Sequence, residues 1–115
     1  MDLKELLGAQ TASQLDRFGN TLPVDWSARE VIGYIRIQVL AAVNELMELI
    51  DETGWKPWKS QGYTEINRER YIDELSDVII FVTNLAVAVD CSPEELEAAI
   101  RKTMEKNETR KREGY

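Results

Sequence analysis

The chain has 115 residues, enough for one hydrophobic core and too few for two domains, and its 43% hydrophobic and 30% charged content is that of a soluble globular protein. A net charge of −7 excludes a broad nucleic-acid surface, which requires clustered Lys and Arg facing phosphates. No histidine is present and Cys91 is the only cysteine, which excludes an intrachain disulfide, an ordinary zinc site and a Cys-His nucleophile pair.

No run approaches the roughly 20 apolar residues that a membrane span needs, so no membrane association is expected. Met1 to Leu7 sets acids beside its leucines and lacks the basic-then-apolar order of a signal peptide, which points to a cytoplasmic location.

Leu3, Leu6, Leu7, Leu15 and Phe18 recur at helical spacing and predict a first amphipathic helix from about Asp2 to Phe18, stopped by Gly19 and the loop Asn20 to Pro23. Ser27 and Glu30 form the capping-box pattern that opens a second helix, which runs through Ile32, Ile35, Val39, Val43, Leu46 and Ile50 to Gly54. An aromatic loop, Gly54 to Tyr63, leads to a third helix that starts near Thr64 and carries Ile72, Leu75, Val78, Ile79, Val82, Leu85 and Ala86 to about Val89. Ser92 as cap, Pro93 at the first helical position and Glu95 closing the box mark the start of a fourth.

Four helices with short connections and no convincing strand predict an all-α fold, a four-helix antiparallel bundle within a single domain spanning residues 1–115. Helices two and three are the most apolar and are expected at its centre. Such apolar central helices leave faces to cover, and a homodimer would cover them while completing the active site.

Chemistry enters with two acidic doublets, Glu45 with Glu48 and Glu74 with Asp77. Residues three apart on a helix share a face, so each doublet aims two oxygens the same way. Facing each other, four carboxylates repel by roughly 3 kcal/mol per close pair at an effective dielectric near 20, and need cations or protons to coexist. Magnesium is the hard cation that such oxygens suit, and magnesium on carboxylates usually serves phosphate chemistry. Acidic doublets also occur as solvated helix faces. Here Ala41, Ala42 and Leu49 lie a turn from Glu45, and Ile80 and Phe81 lie beside Asp77, so both doublets border apolar strips.

Further candidates are polar residues in a few places. Lys106 and Arg110, with Asn107 beside them, fit an anion site, while cations near a helix C-terminus also answer the macrodipole. Gln10 and Gln14 share a face of the first helix, and their amides suit the alternating edge of a pyrimidine. Trp55 and Trp58, flanked by Lys56 and Lys59, look like a binding loop. Arg68 and Arg70 read as structural, and Cys91 as a small buried hydrophobe.

Glu45-Leu46-Met47-Glu48 followed by Glu74-Leu75-Ser76-Asp77 resembles the ExxE and ExxD signature of the all-α nucleoside triphosphate pyrophosphohydrolases, which include MazG and the dimeric dUTPases. Trp55-Lys56-Pro57-Trp58-Lys59 is similar to the WKxWK segment after the first doublet in dimeric dUTPases, and the likeness extends from Gln10 and Gln14 to Lys106, Asn107, Arg110 and Tyr115.

The resemblance implies that Glu45, Glu48, Glu74 and Asp77 hold two or more Mg2+ ions, with Mn2+ as a substitute, and that Glu48 is the base for the attacking water. It implies phosphate contacts from Lys106, Asn107 and Arg110, closure by Tyr115, base recognition by Gln10 and Gln14, and a pocket walled by Trp55, Trp58 and Lys59. The reaction implied is dUTP to dUMP and pyrophosphate, on a deoxynucleoside triphosphate partner. Another nucleotide such as dCTP, turned over by a MazG-like enzyme, and a non-catalytic helical interaction module are the alternatives. The chain is shorter than most dimeric dUTPases, which leaves the base preferred open.

Overall fold

A computed structural model describes residues 1–56, 58 and 65–114. The expectations placed on Lys59 and Tyr115 lie outside the described residues. Four helices form, α1 (Leu3–Arg17), α2 (Ala28–Asp51), α3 (Arg68–Ala88) and α4 (Pro93–Glu113), with no strand among the described residues.

Each helix starts where a side chain satisfies free backbone N–H groups. Asp2 Oδ1 accepts from the Glu5 N–H at 2.8 Å, and the boxes Ser27/Glu30 and Ser92/Glu95 close reciprocally at α2 and α4. The Ser92 backbone and hydroxyl hydrogen bonds also hold the Glu95 carboxyl below its usual range. Helix α3 opens at Arg68 rather than near Thr64, because the Asn67 side chain caps the Arg70 N–H at 3.2 Å. After α1, Gly19 and Asn20 take left-handed φ angles of 67° and 66°, which reverse the chain into a 3-10 turn at Pro23–Asp25. That turn falls in the stretch expected to be loop.

The most extensive packing is between α2 and α3, followed by α1 on α3. Gln38 meets Asn84, and Glu45 and Glu48 meet Glu74, so the two central helices run antiparallel. Their buried seam is unusually polar. Gln38, Thr83 and Asn84 are buried beside Tyr34, Ala42, Val78, Val87 and Ala88.

The residues whose periodicity announced α2 do not form that seam. Ile32, Val39, Val43, Leu46 and Ile50 keep 41 to 49% of their surface exposed, and on α3 Ile72, Leu75, Ile79 and Val82 keep 39 to 49%. At 100° per residue the α2 stripe points more than a quarter-turn away from Tyr34, Gln38, Ala41 and Glu45. The apolar period therefore marks an open face, and the seam between α2 and α3 follows the polar one.

Helix α4 turns through 114° from α3 and rests chiefly on α1, with no buried residue of its own. The radius of gyration is 17.6 Å, against about 13 Å for a compact chain of this length. No single helix is long and apolar enough to cross a membrane.

Candidate active site

At one end of the α2–α3 seam, carboxylate oxygens of Glu45, Glu48 and Glu74 lie within 4.8 Å of one another. The i, i+3 spacing places Glu45 and Glu48 a turn apart on α2, and the antiparallel register brings Glu74 opposite them. Asp77, one turn further along α3, is exposed and stands outside that closest group, although its charge acts on Glu45.

Oε2 of Glu45 and Oε2 of Glu74 are shielded from solvent, with no hydrogen-bond donor among the described residues. A shielded anionic oxygen without a donor is costly unless a proton or cation reaches it. Burial, then the hydrogen bond to Glu48 and its charge, pushes the Glu74 carboxyl up from 4.5 to about 7, and burial followed by Glu48 and Asp77 raises Glu45. Carboxylates this close repel less when they share a proton, the direction in which both shifts run. Hard oxygen donors with unpaired lone pairs also fit a magnesium-class divalent ion, which would take the place of the shared proton.

A stability consequence follows from Glu74. Its folded-state pKa lies above its unfolded value, so its contribution is present below pH 4.5 and is lost as the pH rises through about 7. The melting temperature of metal-free protein is expected to fall between pH 5 and 8, and less steeply in Glu74→Gln. Calorimetry in the presence of a chelator checks this, and identical slopes for the two proteins would contradict it.

One to two turns along the same seam lies a cavity of about 600 Å³. Ala41, which lines it, precedes Glu45 by one helical turn, about 6 Å. Phe18, Trp26 and Tyr34 form one wall, meeting pairwise edge-to-face with centroids 5.2 to 5.8 Å apart. The 3-10 turn at Pro23–Asp25 delivers Trp26, and Trp26 Nε1 donates to Thr21 Oγ1 at 3.2 Å. The Tyr34 hydroxyl donates to Gln14 Oε1 at 2.7 Å, and burial, opposed in part by Arg17, pushes its pKa up to about 12, so it remains a neutral phenol.

Arg17 and Glu30 also line the cavity, and the rest of its polar wall is made of amides. Gln38 and Asn84 line the cavity, and Asn84 Nδ2 donates to Gln38 Oε1 at 2.9 Å. Gln10 stands behind them, its Nε2 donating to Asn84 Oδ1 at 2.9 Å. Trp26, Tyr34, Gln38 and Asn84 are thus cavity-lining residues that the sequence patterns did not single out. Their signal was spacing: Gln38 lies seven residues before Glu45 and Asn84 seven after Asp77, two turns along the same helix faces in opposite chain directions.

The remaining sequence candidates lie elsewhere. Trp55 and Trp58 meet edge-to-face at 5.7 Å, away from the residues lining the cavity, and Trp55 Nε1 donates to Asp51 Oδ1 at 2.7 Å. Lys56 Nζ approaches the same carboxylate at 3.7 Å, so Asp51 anchors the start of the loop to the end of α2. Arg70 pairs with Glu52 at 3.6 Å rather than with the cluster. Lys106, Asn107 and Arg110 are exposed on α4, and among the described residues they form no ion pair with the carboxylates of the same chain.

Across residues 2–115 the chain matches the sequence profile of a family described as dUTPase. It belongs to the all-α dUTPase family. Membership makes it a nucleotide diphosphatase of the dUTPase type, acting on dUTP or a related nucleoside triphosphate. No curated protein and no solved structure matches the chain. The all-α architecture expected from the helix signals agrees with the family and with the four helices described.

Proposed function

We propose that this single-domain dUTPase-family protein is a cytoplasmic, magnesium-dependent homodimer that converts dUTP to dUMP and pyrophosphate. The carboxylate cluster at the end of an aromatic and amide-lined cavity carries the reading. A nucleoside triphosphate has an aromatic head and an anionic tail, and this seam offers a receptor for each, in line. Glu45, Glu48, Glu74 and Asp77 would hold the ions, with manganese as a substitute for magnesium. An ion held there would supply neutralisation of triphosphate charge and acidification of a bound water.

Glu48, the exposed member of the close group, takes the proton from that water. The water oxygen bonds to the α-phosphorus, the bond to the bridging oxygen breaks, and pyrophosphate leaves with that electron pair. No covalent enzyme intermediate forms. Gln10 and Gln14 support base recognition through Asn84 and Tyr34, while Trp55, Trp58 and Lys59 close over the substrate. Lys106, Asn107 and Arg110 meet the phosphates from α4 of the second subunit, since α4 points away from the seam of its own chain, and Tyr115 contributes to closure.

Chromatography of dUTP, dCTP and dTTP incubated with protein and magnesium decides the reaction. Release of dUMP and pyrophosphate, abolished by a chelator, is expected. Preferential turnover of dCTP would keep the chemistry and overturn the base, and no turnover of any nucleotide by folded protein would end the proposal.

Magnesium should also stabilise the fold. Ligand at a hundredfold excess over its dissociation constant adds about 2.7 kcal/mol, which for a chain near this length raises Tm on the order of 10 °C. A magnesium-independent melt would argue against ions on the cluster.

A further inference from the structure

The antiparallel register of α2 and α3 is constant along the seam. Gln38 meets Asn84, Ala41 and Phe81 line the cavity together, Asp77 acts on Glu45, Glu48 meets Glu74, and Glu52 meets Arg70. Each level advances three or four residues on α2 and retreats by the same number on α3, the step that keeps side chains on one helix face. The Glu52–Arg70 pair is therefore the level after the carboxylates, on the side away from the cavity. A nucleotide laid along the seam with its aromatic head in the cavity meets the carboxylates first and Arg70 last.

The pair is uneven. Glu52 keeps only 16% of its side chain exposed, whereas Arg70 keeps 70% and is held through Nε alone, at 3.6 Å. Its two terminal nitrogens have no ion pair or hydrogen bond among the described residues. Glu74, one turn along the same face of α3 and within reach of an arginine four residues earlier, nonetheless has a shielded oxygen with no donor among the described residues. Glu52 thus holds the guanidinium off Glu74 and leaves that oxygen to a cation.

Four carboxylates facing a triphosphate leave a surplus of negative charge that a pair of divalent ions does not cancel. Lys106 and Arg110 of the same chain lie on α4, which does not reach over the seam. Arg70 stands about 6 Å beyond Glu74 along α3, and its planar fork, charged at any working pH, matches phosphate oxygens.

We propose that Arg70 contacts the terminal phosphates of the bound nucleotide and stabilises pyrophosphate as it leaves, while Glu52 positions it and keeps the guanidinium out of the metal-binding carboxylates. This rests on the reading of the seam as a nucleotide pyrophosphohydrolase site. As the bond from the α-phosphorus to the bridging oxygen breaks, its electron pair settles on pyrophosphate. Arg70 faces that growing charge and transfers no proton.

Calorimetric titration at fixed free magnesium measures binding of pyrophosphate and of dUMP to wild type, Arg70→Gln, Arg70→Lys, Glu52→Gln and the double variant Glu52→Gln/Arg70→Gln. Arg70→Gln should bind pyrophosphate about 30-fold more weakly, the scale of hydrogen bonds between charged partners. Its affinity for dUMP, which ends at the α-phosphate, should not change. Arg70→Lys keeps the charge without the fork and should fall between. Glu52→Gln frees Arg70 to pair with Glu74, so magnesium titrated alone should bind about fivefold more weakly, the scale of an exposed ion pair that must first be broken. Removing Arg70 as well should restore magnesium binding.

A pair that only clamps the two helices predicts the same losses from either single variant, with dUMP affected as much as pyrophosphate. That result would overturn the proposal, as would an unchanged pyrophosphate affinity in Arg70→Gln. A wild type that turns over no nucleotide would instead remove the hydrolysis on which it rests.

Discussion

Replacing Glu48 with Gln is expected to lower kcat by about 10³-fold while leaving the fold intact, the middle of the range that a positioned general base supplies. Of the three carboxylates within 4.8 Å of one another, Glu48 is the exposed one, whereas Glu45 and Glu74 each have an oxygen shielded from solvent. The shielded pair suits ion retention, and the exposed member suits proton exchange with an entering water. The variant is isosteric and removes one of the charges that raise Glu45 and Glu74, so metal-free Glu48→Gln should melt higher than wild type.

Magnesium should still raise its Tm, because Glu45, Glu74 and Asp77 remain. Glu74→Gln should lose both turnover and most of the magnesium-dependent shift. Steady-state kinetics and melts with and without magnesium separate the two roles. A kcat within fivefold of wild type for Glu48→Gln would remove its assignment as base.

The helix starts were the most legible part of the chain, because caps are local chemistry. Ser27 with Glu30 and Ser92 with Glu95 each predict a helix start from four residues, and both boxes close as expected. The start of α3 was less legible because a lone Asn cap at Asn67 carries no reciprocal partner to mark it.

The acidic doublets were legible through i, i+3 spacing, and the antiparallel seam brings three of the four carboxylates into one group. The cavity was not legible, since its aromatic wall joins Phe18, Trp26 and Tyr34 from three separate segments, a juxtaposition that no local period encodes. The amide wall was hidden for another reason. Gln38 and Asn84 sit within apolar helices where a periodicity argument registers only the apolar residues, and only the heptad relation to the doublets marked them.

That misdirection of the apolar period motivates the second large effect, in which Val43→Glu is expected to dissociate the protein into monomers and abolish most activity. Val39, Val43, Leu46 and Ile50 lie along one stripe of α2 and remain 41 to 48% exposed in the single chain, while Ile72, Leu75 and Ile79 line an apolar groove with Leu6 on the α1–α3 side. Stripes this long are uncommon on an isolated monomer and suit a self-complementary interface between two copies.

A buried unpaired charge costs about 3 kcal/mol, and two-fold symmetry repeats it, so the dissociation constant should rise by about 10⁴-fold. Light scattering coupled to size exclusion at micromolar concentration should give twice the chain mass for wild type and the single-chain mass for Val43→Glu. Val24→Glu, which charges another exposed apolar position off the stripe, should leave the mass unchanged. Activity lost together with the dimer would place α4 of the partner over the carboxylates, because α4 does not reach over the seam of its own chain. A monomeric wild type, or a fully active monomeric variant, would show that the site is complete within one chain.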